Sequence, residues 1–124
     1  MKKTIAAIIT PRGIGAISGI RVSGTSALEI SSKIFSKNLQ EAPSHTAHLG
    51  SVCSLKEKTS IDQAIALVMK APNTYTGEDV VEFFCHGSPI LTKKLFDELI
   101  LAGAFPAKAG EFTFRAFQNG KMDL

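Results

Sequence analysis

The 124-residue chain has no tryptophan, one tyrosine and two cysteines. With Tyr75 alone beside eight phenylalanines, any aromatic platform for stacking bases has to be built from Phe. Cys53 and Cys85 are too few for a cysteine metal centre and have no C-x-x-C partner. One disulfide is possible in principle, but free thiols in a reducing, cytoplasmic setting are the expectation. No apolar run reaches the roughly 18 residues that a membrane span requires. The opening Met1-Lys2-Lys3-Thr4-Ile5-Ala6-Ala7-Ile8-Ile9 imitates a secretory leader. Thr10-Pro11-Arg12-Gly13 follows at once without a small-x-small cleavage site, so the run reads as a first strand. There is no G-x-x-x-x-G-K-[ST], which excludes nucleoside triphosphate binding of the P-loop kind by this chain.

What is present describes one folded domain. Hydrophobic residues make up 44% and charged residues 20%, which excludes disorder and low complexity. A chain of this length buries roughly 65% of its unfolded surface and folds without staples. Fourteen Lys and Arg against 11 Asp and Glu give a net charge of +3, which favours anionic partners. The basic residues are scattered along the chain, which speaks against a dedicated nucleic-acid module.

Apolar, β-branched runs predict strands at 4–9 and 17–22, with a glycine-bearing loop between them. Ser26 and Glu29 have capping-box spacing ahead of an amphipathic helix over 26–37. After a polar connector at 38–46, strands 47–55 and 61–70 form a hairpin around Lys56-Glu57-Lys58-Thr59-Ser60. Loop 72–77 leads into a strand at 79–85. Ser88 and Pro89 open a second helix whose buried stripe is Leu91, Leu95, Leu99 and Ala102, stopped by Gly103. A short helix over 111–118 ends at Asn119-Gly120, with Phe114 and Phe117 as core contacts. The order β-β-α-β-β-β-α-α implies an α+β domain, a mixed β-sheet with helices on one side.

Several residues invite chemistry. Gly13-Ile14-Gly15-Ala16-Ile17-Ser18 approaches a dinucleotide fingerprint, but Ser18 stands at the third glycine and a strand follows where a helix is needed. Arg21 interrupts an apolar strand, so it either snorkels at an edge or pairs with an anion. Glu82 lies among Val80, Val81, Phe83 and Phe84. Its carboxylate faces solvent, pairs with Arg21, or grips a planar N–H edge such as an aminopyrimidinone with two parallel bonds. Cys85 and His86 are adjacent, but consecutive strand residues point to opposite faces, so they form no nucleophile pair. His45 and His48 make no metal-ligand spacing. Lys121, aimed by Asn119-Gly120, is either solvated or waits for an anion.

Three blocks carry a resemblance that spans Thr4 to Leu124. They are Thr10-Pro11 with Gly13, Gly15 and Arg21-Val22-Ser23-Gly24; Pro72-Asn73, then Tyr75-Thr76-Gly77-Glu78-Asp79 with Glu82 and His86-Gly87; and Gly110-Glu111-Phe112-Thr113 with Arg115-Ala116-Phe117, Asn119-Gly120-Lys121 and Asp123-Leu124. Together they resemble the N-terminal domain family of the tRNA modification GTPases called MnmE or TrmE. Ser88, Ala109, Gln118 and Met122 depart from the usual pattern without touching a charged position.

The resemblance implies a single tetrahydrofolate-binding and dimerisation domain over 1–124, related in fold to aminomethyltransferase. It implies a 5-formyl- or 5,10-methylene-tetrahydrofolate cofactor held by Arg21, Glu82 and Lys121, with no catalytic residue and no metal in this domain. Arg21 and Lys121 are then expected to serve the ligand rather than apo stability. The chain reads as a truncated fragment that lacks the helical and GTPase domains, where potassium, magnesium and GTP would bind. In the full protein the implied partners are a second copy, an FAD-dependent MnmG-type protein and tRNA, with no membrane. The implied activity adds a carboxymethylaminomethyl group to wobble uridine C5. The alternative is an aminomethyltransferase-type one-carbon transfer domain.

Overall fold

The structure, a computed structural model, describes residues 2–10 and 16–122. Met1, the turn expected at 11–15 and the Asp123-Leu124 end of the third block lie outside the described residues. The elements are β1 (Ile5–Ile8), β2 (Ile17–Ser23), α1 (Ala27–Lys33), β3 (Thr46–Cys53), β4 (Ser60–Met69), β5 (Val80–His86), α2 (Pro89–Leu101), β6 (Phe105–Pro106) and α3 (Glu111–Gln118). The fold is α+β, and the strands form one mixed sheet in the order β3-β4-β5-β2-β1-β6. All pairings are antiparallel except β1 with β6. The sequence reading lacks β6, because two residues carry no alternation to detect.

Alternation divides the sheet into two unlike faces. Ile20, Val22, Ala64, Ala66, Val68, Val81, Phe83 and Cys85 point to one face and are buried against Ile30 and Ile34 from the α1 segment and Leu95 and Leu99 of α2. Phe35 continues this core, its ring centroid 5.8 Å from that of Phe83. The expectation of helices on one side holds for α1 and α2. Helix α3 instead closes one end of the opposite face, where Arg115 and Phe112 find partners in Glu78 and Arg21.

Helix α1 is shorter than 26–37 and has no capping box. The Ser26 side chain makes no cap hydrogen bond, and its backbone N–H donates to Thr4 Oγ1 at 3.1 Å. The chain leaves the helix at Ile34 because Phe35 bridges to Val52 and the Cys53 N–H donates to the Ile34 carbonyl. Helix α2 follows expectation at both ends. Ser88 Oγ accepts from the Leu91 N–H at 3.3 Å, and Gly103, at φ +125, takes the left-handed turn after the last helical residues. Phe114 and Phe117 are not core contacts: both are exposed, since α3 turns Arg115 and Ala116 inward. Among the described residues, no helix is long and apolar enough to cross a membrane.

Phe83 is fully buried at the centre of the helix-covered face. Phe83→Ala is expected to lower the unfolding free energy by about 3–5 kcal/mol, a deleted ring in a site that relaxes incompletely. Urea unfolding at unchanged slope measures this, and a loss under about 1 kcal/mol would show that α1 and α2 collapse into the gap.

Candidate functional site

The end of the sheet face that α3 closes, opposite α1 and α2, holds Arg21 and Glu82, two of the residues singled out by charge. Arg21 on β2 and Glu82 on β5 are direct cross-strand partners in an antiparallel ladder. Arg21 Nε donates to Glu82 Oε2 at 2.7 Å, with the side chains 22% and 13% exposed. Of the readings open for Glu82, the pair with Arg21 is the one formed. It engages one oxygen only, leaving Oε1 and the two terminal nitrogens of Arg21 without partners among the described residues. A half-buried acceptor therefore sits beside two half-buried donors.

Two aromatic rings frame this edge. The Arg21 guanidinium carbon lies 5.2 Å from the centroid of Tyr75 and 5.2 Å from that of Phe112. Cation–π contact with both restrains the guanidinium and shields it from water. The Tyr75 hydroxyl and Thr113 Oγ1 are 3.0 Å apart, joining loop 72–79 to α3. Neither ring stands out from periodicity. Their signal was membership of the Tyr75-Thr76-Gly77-Glu78-Asp79 and Gly110-Glu111-Phe112-Thr113 blocks.

The support beneath the rings was missed entirely from sequence. Arg115 is buried at 4% exposure. Its Nη1 donates to Glu78 Oε1 at 3.1 Å, and its Nη2 to the Lys3 carbonyl at 2.6 Å and to Glu111 Oε2 at 3.2 Å. Glu78 Oε1 also accepts from Ser23 Oγ at 2.8 Å, and Ser23 Oγ lies 2.7 Å from Thr76 Oγ1. This network ties α3, β2 and loop 72–79 together. Only the Glu111–Arg115 i, i+4 spacing was available to suggest it.

Lys121 stands apart from the pair. The C-terminal turn of α3 places it as expected, with its N–H donating to the Ala116 carbonyl at 2.8 Å. Its side chain runs over Gly77, where an added Cβ would lie 3.4 Å from Lys121 Cε and 2.9 Å from Asn119 Cβ. Gly77 also has φ +82, so this position needs glycine on both counts. Asn119 Nδ2 donates to the Thr76 carbonyl at 2.8 Å. Arg21, Glu82 and Lys121 thus all touch or flank loop 72–79, but only the first two meet.

At the other end of the sheet His86 and Asp62 form a second pair. His86 Nδ1 is 2.9 Å from both Asp62 oxygens, and the His86 N–H donates to Asp62 Oδ2 at 3.1 Å. Partial burial pulls the Asp62 carboxyl up, but the hydrogen bonds and charge of His86 together hold it below the usual carboxylate range. Burial, helped by the Asp62 charge, pushes the Cys85 thiol up. Cys85 is buried toward the helices and His86 faces outward, so the two make no nucleophile pair. Both cysteines are free thiols.

Removing Arg21 leaves a half-buried carboxylate behind, so Arg21 also stabilises the apo fold. Arg21→Ala is expected to cost about 1–3 kcal/mol. Adding Glu82→Gln should recover part of that, because a neutral amide tolerates the site better than an unpaired charge. A double-mutant cycle from urea denaturation tests it, and purely additive losses would deny the coupling.

A family model described as "GTP-binding protein TrmE N-terminus" matches residues 4–121. The curated tRNA modification GTPase MnmE of Chlamydia pneumoniae is 52% identical over 121 residues, which are 98% of this chain and 27% of that protein. The MnmE of Chlamydia abortus is 50% identical over the same shares. That of Christiangramia forsetii is 48% identical over 128 residues, 100% of this chain and 27% of the relative. The chain therefore spans about a quarter of the length of these relatives.

Proposed function

The chain belongs to the TrmE N-terminus family, and from that premise we propose that it is the folate-binding and dimerisation domain of a GTPase that modifies tRNA. The cofactor is a 5-formyl- or 5,10-methylene-tetrahydrofolate, which supplies a one-carbon unit when bound. In the whole assembly, with an FAD-dependent MnmG-type partner in the cytoplasm, that unit serves carboxymethylaminomethylation of the wobble uridine at C5.

The observation that carries the folate reading is the Arg21–Glu82 edge. Glu82 Oε1 is an acceptor and the Arg21 terminal nitrogens are donors, side by side on rigid strands. An aminopyrimidinone edge offers the complement, N–H groups for the carboxylate and a carbonyl for the guanidinium. This differs from two parallel bonds to Glu82 alone, since one of its oxygens is occupied by Arg21 Nε. Tyr75 and Phe112 supply flat apolar surface beside that edge. Lys121, across Gly77, suits an acidic tail or a polar one-carbon group rather than the ring.

Glu82→Gln keeps the shape and removes the charge-assisted acceptor. It is expected to weaken 5-formyl-tetrahydrofolate by roughly 1.5–3 kcal/mol in calorimetry at fixed salt. Unchanged affinity in a folded variant would remove Glu82 from the site.

The dimer reading rests on the part of this face that α3 leaves uncovered. Leu49, Ile65, Phe84 and Gly19 form one cross-strand row over β3, β4, β5 and β2. Leu49, Ile65 and the nearby Ile17 are exposed, and with Phe84 and His86 they line a shallow cavity of about 230 Å³. Two-fold pairing would set this apolar patch against its own copy and remove it from water. Light scattering at micromolar concentration is expected to give about twice the 13.2 kDa chain mass. Leu49→Asp with Ile65→Asp, both at exposed positions, should return a monomer without loss of fold. A dimer that survives the double change would place the interface elsewhere.

A further inference from the structure

The groove between β6 and α3 has no part in the folate or dimer readings. Its volume is about 500 Å³, within the roughly 300–1,000 Å³ of clefts that bind small molecules. We propose that it binds a single-stranded nucleic-acid segment, with phosphates on its lysines and bases against Phe105 and Phe114.

Charge is the first ground. Lys2 and Lys3 precede β1 and Lys108 follows β6, at opposite ends of this parallel strand pair, and all three line the groove. Four of the 14 Lys and Arg, distant in sequence, therefore meet at this groove. Arg115 lies at the floor, but Glu78 and Glu111 already neutralise it. Both oxygens of Glu111 are engaged, Oε1 by the Lys108 N–H at 2.8 Å and Oε2 by Arg115. Among the described residues, the ammonium groups of Lys2, Lys3 and Lys108 have no carboxylate partner. The rim is a net cation that calls for an anion from outside.

Aromatic surface is the second ground, and it selects among anions. Phe105 and Phe114 line the groove at 46% and 56% exposure. The Lys3 ammonium lies 4.4 Å from the Phe105 ring centroid, so cation and ring already occupy one spot. An acidic peptide would satisfy the lysines and leave the rings without flat partners. A duplex would offer phosphates but keep its bases stacked inside. An unpaired strand offers both phosphates and open π-faces, the complements of the lysines and rings in this groove.

Fluorescence anisotropy with a labelled oligouridylate and its deoxy counterpart, over a salt series, tests the assignment. Three phosphate contacts predict a slope of log K against log salt of about −2, and Lys3→Ala and Lys108→Ala should each reduce it by about 0.7. Phe114→Ala should weaken binding at least about fivefold with the slope unchanged, and Phe114→Leu should do the same because it lacks a π-face. Equal binding of the two oligonucleotides supports recognition of strand rather than sugar, and preference for either supports the site with a sugar contact. Binding that Phe114→Leu leaves intact, or that the lysine changes do not touch, would overturn the proposal. So would polyglutamate binding as tightly and failing with the same variants, which would make the groove an acidic-protein site. The same variants titrated with 5-formyl-tetrahydrofolate keep the two readings separate, because among the described residues Arg21 bonds Glu82 and faces Tyr75 and Phe112, not Lys3, Lys108 or Phe114.

Discussion

Arg115 carries a full positive charge at 4% exposure, and the geometry of the site depends on how that charge is answered. Leaving a buried charge unpaired costs about 3–5 kcal/mol, a large share of a small domain's stability. The chain therefore has to bring Glu78, Glu111 and the Lys3 carbonyl to one point. Those three groups come from loop 72–79, the start of α3 and the entry to β1. Meeting the demand of one guanidinium positions Tyr75 and Phe112 beside Arg21 and lays Lys121 over Gly77. It also aligns α3 with β6, so the lysine-rimmed groove is a by-product of the same constraint.

The two faces of the sheet divide the work. The face under α1 and α2 is predominantly apolar and supplies the hydrophobic stabilisation, with Phe83, Leu95 and Leu99 fully buried. That leaves the other face free to carry groups that a core would reject. Its polar end holds the Arg21–Glu82 pair, half-exposed and incompletely satisfied. Its other end holds the apolar row through Leu49, Ile65 and Phe84, with the Asp62–His86 pair at its border. The Arg21–Glu82 edge and the exposed apolar row thus share one face, separated by a single step of the strand pleat between Glu82 and Phe84.

Much of this was legible from residue order. Period-2 runs marked five of the six strands, and Ser88, Pro89 and Gly103 marked both ends of α2, because local backbone preferences act there without long-range help. The charges of Arg21 and Glu82 were conspicuous for the same reason, as ions in apolar strands. The misreadings arose where a distant partner decided the outcome. Ser26 has the spacing of a cap, but Thr4 takes its N–H and its side chain makes no cap bond. Phe114 and Phe117 look like a buried stripe, but the inward face of α3 is chosen by Arg115.

By itself, then, the sequence determined the fold class, the element types and the family, and it marked Arg21, Glu82 and Lys121 as candidates. Those properties rest on periodicity, turn chemistry and motif spacing, all of which are local. Only the tertiary structure decided that Arg21 pairs with Glu82 while Lys121 stands apart, that α3 lies on the face opposite α1 and α2, and that Lys2, Lys3 and Lys108 line one groove. Each of these is a contact between residues far apart in the chain. Strand register and the neutralisation of a buried charge select such contacts, and neither is encoded in any short window of residues.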